Sequence, residues 1–113
     1  MEEVKQFAYI FWTSGSIEEV RRVCRYLVQE RLVACANIIP WVESIYLWKG
    51  EVETAQETKV ILKTRKDKYD DVYKVIKQNT QYEVPEVALV SIDGANKEYV
   101  EWLQEVVSHT EQV

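Results

Sequence analysis

Apolar and polar positions alternate with a period of two in some stretches and recur at helical spacing in others, and the switches between the two rhythms mark the elements. Phe7, Tyr9 and Phe11 interleave with Ala8, Ile10 and Trp12. This first strand is therefore apolar on both faces and belongs in the middle of its sheet. Thr13 to Ser16 break it. Ser16 with Glu19 three residues on is a capping-box pattern, and Ile17, Val20, Val23, Cys24, Leu27 and Val28 form the buried stripe of a first helix ending near Glu30 and Arg31. A second strand begins around Val33. Pro40 interrupts it as a bulge or bend, since proline has no ladder donor, and it resumes through Ser44 to Trp48. Gly50 supplies the positive φ of a tight hairpin. The third strand carries Val52, Thr54, Thr58, Val60 and Leu62 on one face and Glu51, Glu53, Glu57, Lys59, Ile61 and Lys63 on the other.

A second helix follows from about Asp67, with Tyr69, Val72, Tyr73 and Ile76 at helical spacing; Thr80, Gln81 and Tyr82 lie past its end. Pro85 forces Val84 into an extended conformation and introduces a fourth strand, Val87 to Ile92, ended by Asp93 and Gly94. Asn96 is positioned to cap a last helix whose Tyr99, Leu103, Val106 and Val107 pack on the domain, with Trp102 beside them. The order βαββαβ followed by α predicts an α+β, ferredoxin-like sandwich: one antiparallel sheet with two helices on one face and an additional C-terminal helix.

That architecture leaves a sheet face uncovered, and the hairpin from Leu32 to Arg65 makes the shortage acute. On its outgoing limb Tyr46 and Trp48 point one way while Ile45 and Leu47 point the other. Aromatic residues make up 12% of the chain, more than one small core accommodates without a second buried surface. A homo-oligomer is the economical solution, because closed symmetry also protects the strand edges.

Composition adds exclusions. The 113 residues, 47% apolar and 29% charged, make one domain with enough core to fold alone. A net charge of -5 and a pI near 4.9 argue against a nucleic-acid groove, which needs a concentrated basic surface. There is no apolar stretch of ~20 residues for a membrane span, and Met1 to Lys5 make a poor signal-peptide start, so the expectation is a cytoplasmic protein with no membrane partner. Cys24 and Cys35 do not form a disulfide framework: Cys24 joins the helical stripe, and Cys35 lies in a close-packed run of small residues. Neither a Ser/His/Asp or Cys/His arrangement nor a phosphate loop or zinc motif is present, and the chain reads as a non-enzyme.

The run Arg31, Leu32, Val33, Ala34, Cys35, Ala36, Asn37 resembles the first signature of the CutA divalent-cation-tolerance proteins. Ser44, Tyr46, Trp48, Gly50, Glu57, Lys63 and Thr64 resemble their hairpin signature, and Tyr82, Pro85 and Glu86 the start of their last core strand. The resemblance runs from Phe7 to Leu103 and so identifies a single CutA-like domain over 1–113. It implies a homotrimer similar to the PII signalling proteins, with clefts between subunits, linked to tolerance of copper and other divalent cations. No established enzymatic reaction comes with it, and mammalian relatives have been tied to anchoring a membrane-associated enzyme.

The metal ligands that some members use are replaced here. Trp12 stands where those members carry a cysteine, and Asn79, Thr80 and Gln81 precede Tyr82 where they carry histidine. His109, the sole histidine, reads as a solvated tail residue. The metal site is thus unassigned, and weak divalent-cation binding through carboxylates such as Glu51, Glu53 and Glu57 is the only cofactor expectation. The expected ligand-binding cleft consists of Tyr46, Trp48, Glu57, Lys63, Tyr82 and Glu86: aromatic walls, two carboxylates and a cation suited to a small polar or anionic molecule, with Lys63 orienting the anionic group. Alternatives are a Tyr46 and Trp48 interface core with structural ion pairs, a scaffold that recruits another protein, and an enzyme using Lys63, Tyr82 or Glu86 for proton transfer.

Overall fold

A computed structural model of the chain describes residues 1–3 and 5–107. Along it run β1 (Glu2–Glu3), β2 (Phe7–Ser14), α1 (Ile17–Gln29), β3 (Cys35–Trp48), β4 (Glu51–Arg65), α2 (Tyr69–Asn79, entered through a 3-10 turn at Lys66–Lys68), β5 (Glu86–Ser91), β6 (Gly94–Ala95) and α3 (Lys97–Val106). The four long strands form one antiparallel sheet in the order β3-β4-β2-β5. This is the ferredoxin-like arrangement, with β2 central as its two apolar faces require.

Alternation divides the sheet into two faces. Ile10 and Trp12 of β2, with Val60 and Leu62 of β4, are buried with Val20, Val23 and Leu27 of α1 and Val72 and Ile76 of α2. The opposite parity, Tyr9, Phe11, Thr13, Lys59, Ile61 and Lys63, is only half-buried. A separate cluster of Phe7, Ala34, Val100, Leu103 and Val107 seats α3. The short pair β1–β6 was not foreseen, because two-residue strands carry no periodicity.

Several boundaries move for identifiable reasons. β3 begins at Cys35 rather than Val33, because the Val33 amide is turned back to the Leu27 carbonyl at 3.3 Å to close the end of α1, where Arg31 is left-handed at φ 58. The last core strand runs from Glu86 to Ser91, one residue earlier than expected at each end. Half of the capping box forms: Ser16 Oγ accepts from the Glu19 amide at 3.2 Å. The buried Glu19 carboxylate, however, accepts from Ser14 Oγ at 2.9 Å, and that hydroxyl also takes the Ser16 amide at 3.0 Å. Asn96 occupies the N-cap of α3 without a side-chain cap bond; its Nδ2 donates to Glu98 Oε1 at 3.3 Å instead.

Two irregularities shape the hairpin. Lys49 and Gly50 both have positive φ, 53 and 84, the geometry of a two-residue turn whose twist matches the flanking strands. Between the pairs Ile39↔Lys59 and Val42↔Glu57 the register shifts, so Pro40 and Trp41 together oppose Thr58. This is the bulge foreseen at Pro40, with Trp41 at φ 66. The extra residue inverts the parity of β3. Before it, Cys35 and Asn37 lie opposite Lys63 and Ile61; after it, Val42, Ser44, Tyr46 and Trp48 lie opposite Glu57, Ala55, Glu53 and Glu51, all on the less covered face.

Candidate functional site

That inversion builds a cleft of about 580 Å³ on the half-buried sheet face. Its floor and walls come from Thr13 of β2, the Val42 to Trp48 side of β3, Glu57 and Lys59 of β4, the loop Tyr82 to Val84, and Glu86 of β5. The volume lies in the range typical of small-molecule sites.

Two hydrogen-bonded groups order the polar part. Tyr82 Oη donates to Glu57 Oε2 at 2.5 Å. Burial first, then the hydrogen bond to Glu57 and the charge of that carboxylate, push the phenol well above its ordinary pKa, so Tyr82 stays a neutral donor. Gly15 makes the approach feasible: a Cβ there would stand 2.7 Å from Tyr82 Oη. In the second group, Lys59 Nζ donates to both oxygens of Glu86, at 3.0 and 3.1 Å, while Thr13 Oγ1 donates to Glu86 Oε1 at 2.5 Å. Burial opposes ionisation of Glu86, but the bonds from Thr13 and Lys59 and the Lys59 charge outweigh it and hold the carboxyl below the usual range. The Lys59 ammonium also lies 4.7 Å from the centroid of the Phe11 ring.

Of the expected cleft residues, Tyr46, Trp48, Glu57, Tyr82 and Glu86 line this one space and Lys63 does not. Lys63 is four residues beyond Lys59, about 13 Å along the strand. There its ammonium sits 6.0 and 5.9 Å from the Tyr9 and Tyr99 rings. Lys59 is the cation of the cleft. It shares parity with Glu57 two residues before it, a period-two signal that was legible in the sequence. Thr13, Val42, Ser44, Glu83 and Val84 were also missed; the first three depend on strand neighbours and on the bulge, and Glu83 and Val84 enter with the loop that carries Tyr82.

The residues at the metal-ligand positions are engaged otherwise. Trp12 is fully buried in the helix-covered core. Asn79 Nδ2 donates to the Val75 carbonyl at 2.7 Å, and Thr80 Oγ1 accepts from the Tyr82 amide at 3.1 Å. Glu51 and Glu53 are exposed on the hairpin opposite Trp48 and Tyr46. Among the described residues no group of three or more His, Cys, Asp or Glu is placed to hold a metal ion. His109 lies outside the described residues. At the metal-ligand positions the described side chains offer neither thiolate nor imidazole, the donors that a copper centre calls for. Both cysteines are free thiols; burial pushes Cys24 up to about 12, marking it as core rather than nucleophile.

The family model described as CutA1 divalent ion tolerance protein matches residues 8–106. The chain belongs to this family. A CutA protein of Thermus thermophilus is 39% identical over 105 residues, covering 93% of this chain and 97% of the relative. The rice protein CutA 1, named chloroplastic, is 39% identical over 95 residues, 84% of this chain, which spans about half (54%) of that relative's length. Solved structures agree in fold. CutA1 from rice superposes with a TM-score of 0.87 at 35% identity, covering 93% of this chain and 96% of the other. The Archaeoglobus fulgidus structure, described as a periplasmic divalent cation tolerance protein, gives 0.85 at 33% identity, covering 90% and 99%. These CutA names describe a tolerance protein and no enzyme class. Among the described residues no helix is long and apolar enough to cross a membrane.

Proposed function

We propose that this CutA-family chain is a non-enzymatic, cytoplasmic homotrimer that acts in the response to divalent metal ions, copper among them, by binding a small ligand or ion in a cleft completed by a neighbouring subunit. One observation carries the reading. The hairpin arm bordering the cleft leaves Ile45, Leu47 and Val52 at 69%, 72% and 71% exposure in the single chain. Such a contiguous apolar surface calls for a partner, and a second and third copy supply it with closed symmetry. Two free cysteines are in keeping with a reducing compartment. Direct metal contact is weak in this reading and falls to carboxylates such as Glu51 and Glu53 brought together across subunits.

Native mass spectrometry of protein purified without added metal tests the proposal, because it reads subunit count and retained small molecules together. A trimer is expected; a monomer would overturn the reading. Thermal shifts across metals, nucleotides and small acids and amines then test ligand binding, since any ligand of the native state raises Tm by mass action. A flat response across the panel removes the ligand half of the proposal. The second reading, a scaffold recruiting another protein, is favoured by Trp41, 71% exposed on the bulge and not part of the cleft lining. Under it, Trp41→Ala abolishes recovery of a stoichiometric partner while the oligomer stays intact.

A further inference from the structure

The lining of the cleft sets three carboxylates, Glu57, Glu83 and Glu86, against one ammonium, Lys59. That ammonium is already committed: it pairs with both oxygens of Glu86 and lies over the Phe11 ring. Lys63, the cation expected to receive an anion, stands at the other end of the sheet face between Tyr9 and Tyr99. An anionic ligand would have to break the Lys59–Glu86 pair and approach Glu57 and Glu83 unscreened. The cleft's formal excess of two negative charges favours the opposite sign.

The aromatic walls point the same way. Tyr46 and Trp48 occupy alternate positions of one strand, so their side chains rise about 7 Å apart on the same face. Tyr82 adds a third ring, and its hydroxyl is taken up by Glu57. Ring faces carry the negative lobe of the quadrupole and attract a cation, an ammonium among them, within about 6 Å of the ring centroid. Trp48 already does so within the chain: the Lys49 ammonium lies 5.6 Å from its centroid. A hard divalent ion is served less well, since it demands six or more oxygen ligands and no trio of candidate ligands converges among the described residues.

Taking the ligand-binding reading above as given, the geometry points to an organic ammonium ion as the occupant of the cleft, held against the Tyr46, Trp48 and Tyr82 rings with Glu57 as counter-ion. A free amine and the lysine side chain of a partner protein share this chemistry.

The test titrates the intact oligomer with n-butylammonium chloride and, at matched ionic strength, sodium n-butyrate, read by saturation-transfer NMR. Saturable binding of butylammonium without binding of butyrate is expected. Glu57→Gln and Trp48→Leu should each weaken it at least tenfold, Trp48→Tyr should retain it, and Lys63→Gln should leave it within twofold, with circular dichroism and size exclusion verifying each variant. Nα-acetyl-lysine amide, run alongside, separates the sources: tighter binding of the blocked lysine assigns the ammonium to a protein partner, and tighter binding of butylammonium to a small amine. Butyrate binding in preference, or butylammonium binding indifferent to both Glu57→Gln and Trp48→Leu, overturns the charge assignment while leaving a ligand site. Binding of neither probe, with dissociation of the oligomer in Trp48→Leu, overturns the ligand reading itself and makes the cleft an interface.

Discussion

Replacing Gly15 by alanine probes the contact that orders the cleft without touching either bonded group. The new Cβ would stand 2.7 Å from Tyr82 Oη, closer than a methyl carbon and an oxygen tolerate, and 3.3 Å from the nearest ring carbons. The hydroxyl is therefore the atom that must move, and moving it breaks the bond to Glu57 Oε2. A hydrogen bond to a charged group contributes about 1.5–3 kcal/mol. Partial solvent access at this site lowers that to about 1–2 kcal/mol. Against the loss, Gly→Ala restricts the unfolded chain and stabilises by about 0.4–1 kcal/mol. The single variant therefore falls by up to about 1.5 kcal/mol, whereas in a Tyr82→Phe background, with no hydroxyl to displace and only the 3.3 Å ring-carbon contacts left, the same change should cost less by the contribution of the lost bond. The quantity to measure is the coupling of the double-mutant cycle, expected at about 1–2 kcal/mol. Urea denaturation of wild type, both single variants and the double variant at one protein concentration supplies it, the fixed concentration being essential if folding and assembly are linked. Equal effects of Gly15→Ala in the two backgrounds, within about 0.5 kcal/mol, would refute the reasoning.

Other expectations follow from the same geometry. The folded-state pKa of Tyr82 is raised, so its contribution is fully present below the unfolded phenol value of about 10 and is lost as pH rises beyond it; the alkaline loss of Tm should be shallower in Tyr82→Phe than in wild type. Glu86 has a depressed pKa, so its contribution is present above the unfolded carboxyl value of about 4.3 and disappears as pH falls below it; Lys59→Met should flatten that acid limb by no more than about 1 kcal/mol, because the pair is partly solvated. Gly50→Ala meets no atom within 4 Å, so its cost is the φ of +84 alone, about 1–2 kcal/mol, and a loss much smaller than this in urea titration would contradict the hairpin turn. Cys24 should stay silent to a thiol reagent until the protein unfolds, and two reactive thiols per native chain would contradict its burial.

The sequence alone determined the order of the four long strands and three helices, the central place of the Phe7 to Trp12 strand, the turn at Gly50, the bulge at Pro40 and, through three spaced signatures, the family. These are local facts. Strand and helix periods, turn chemistry and the missing amide of proline act over a few residues and leave their record in the chain. Tyr46, Trp48, Glu57, Tyr82 and Glu86, five of the six expected cleft residues, were legible through those signatures, to which the sixth, Lys63, belongs as well. Only the tertiary structure decided which cation stands among them. Pro40 and Trp41 oppose a single residue of β4, so the parity of β3 inverts and Tyr46 and Trp48 come to share a face with Glu57 and Lys59, while Glu86 reaches Lys59 across the central strand. Lys63 carries the same charge and the same parity, yet four residues of extended strand take it out of reach. The bulge itself is local, but which residues it turns toward Glu57 and Lys59 depends on pairing between strands distant in sequence; that pairing and the finite reach of a side chain fixed the charge of the cleft, and neither is encoded in the local rhythm of the chain.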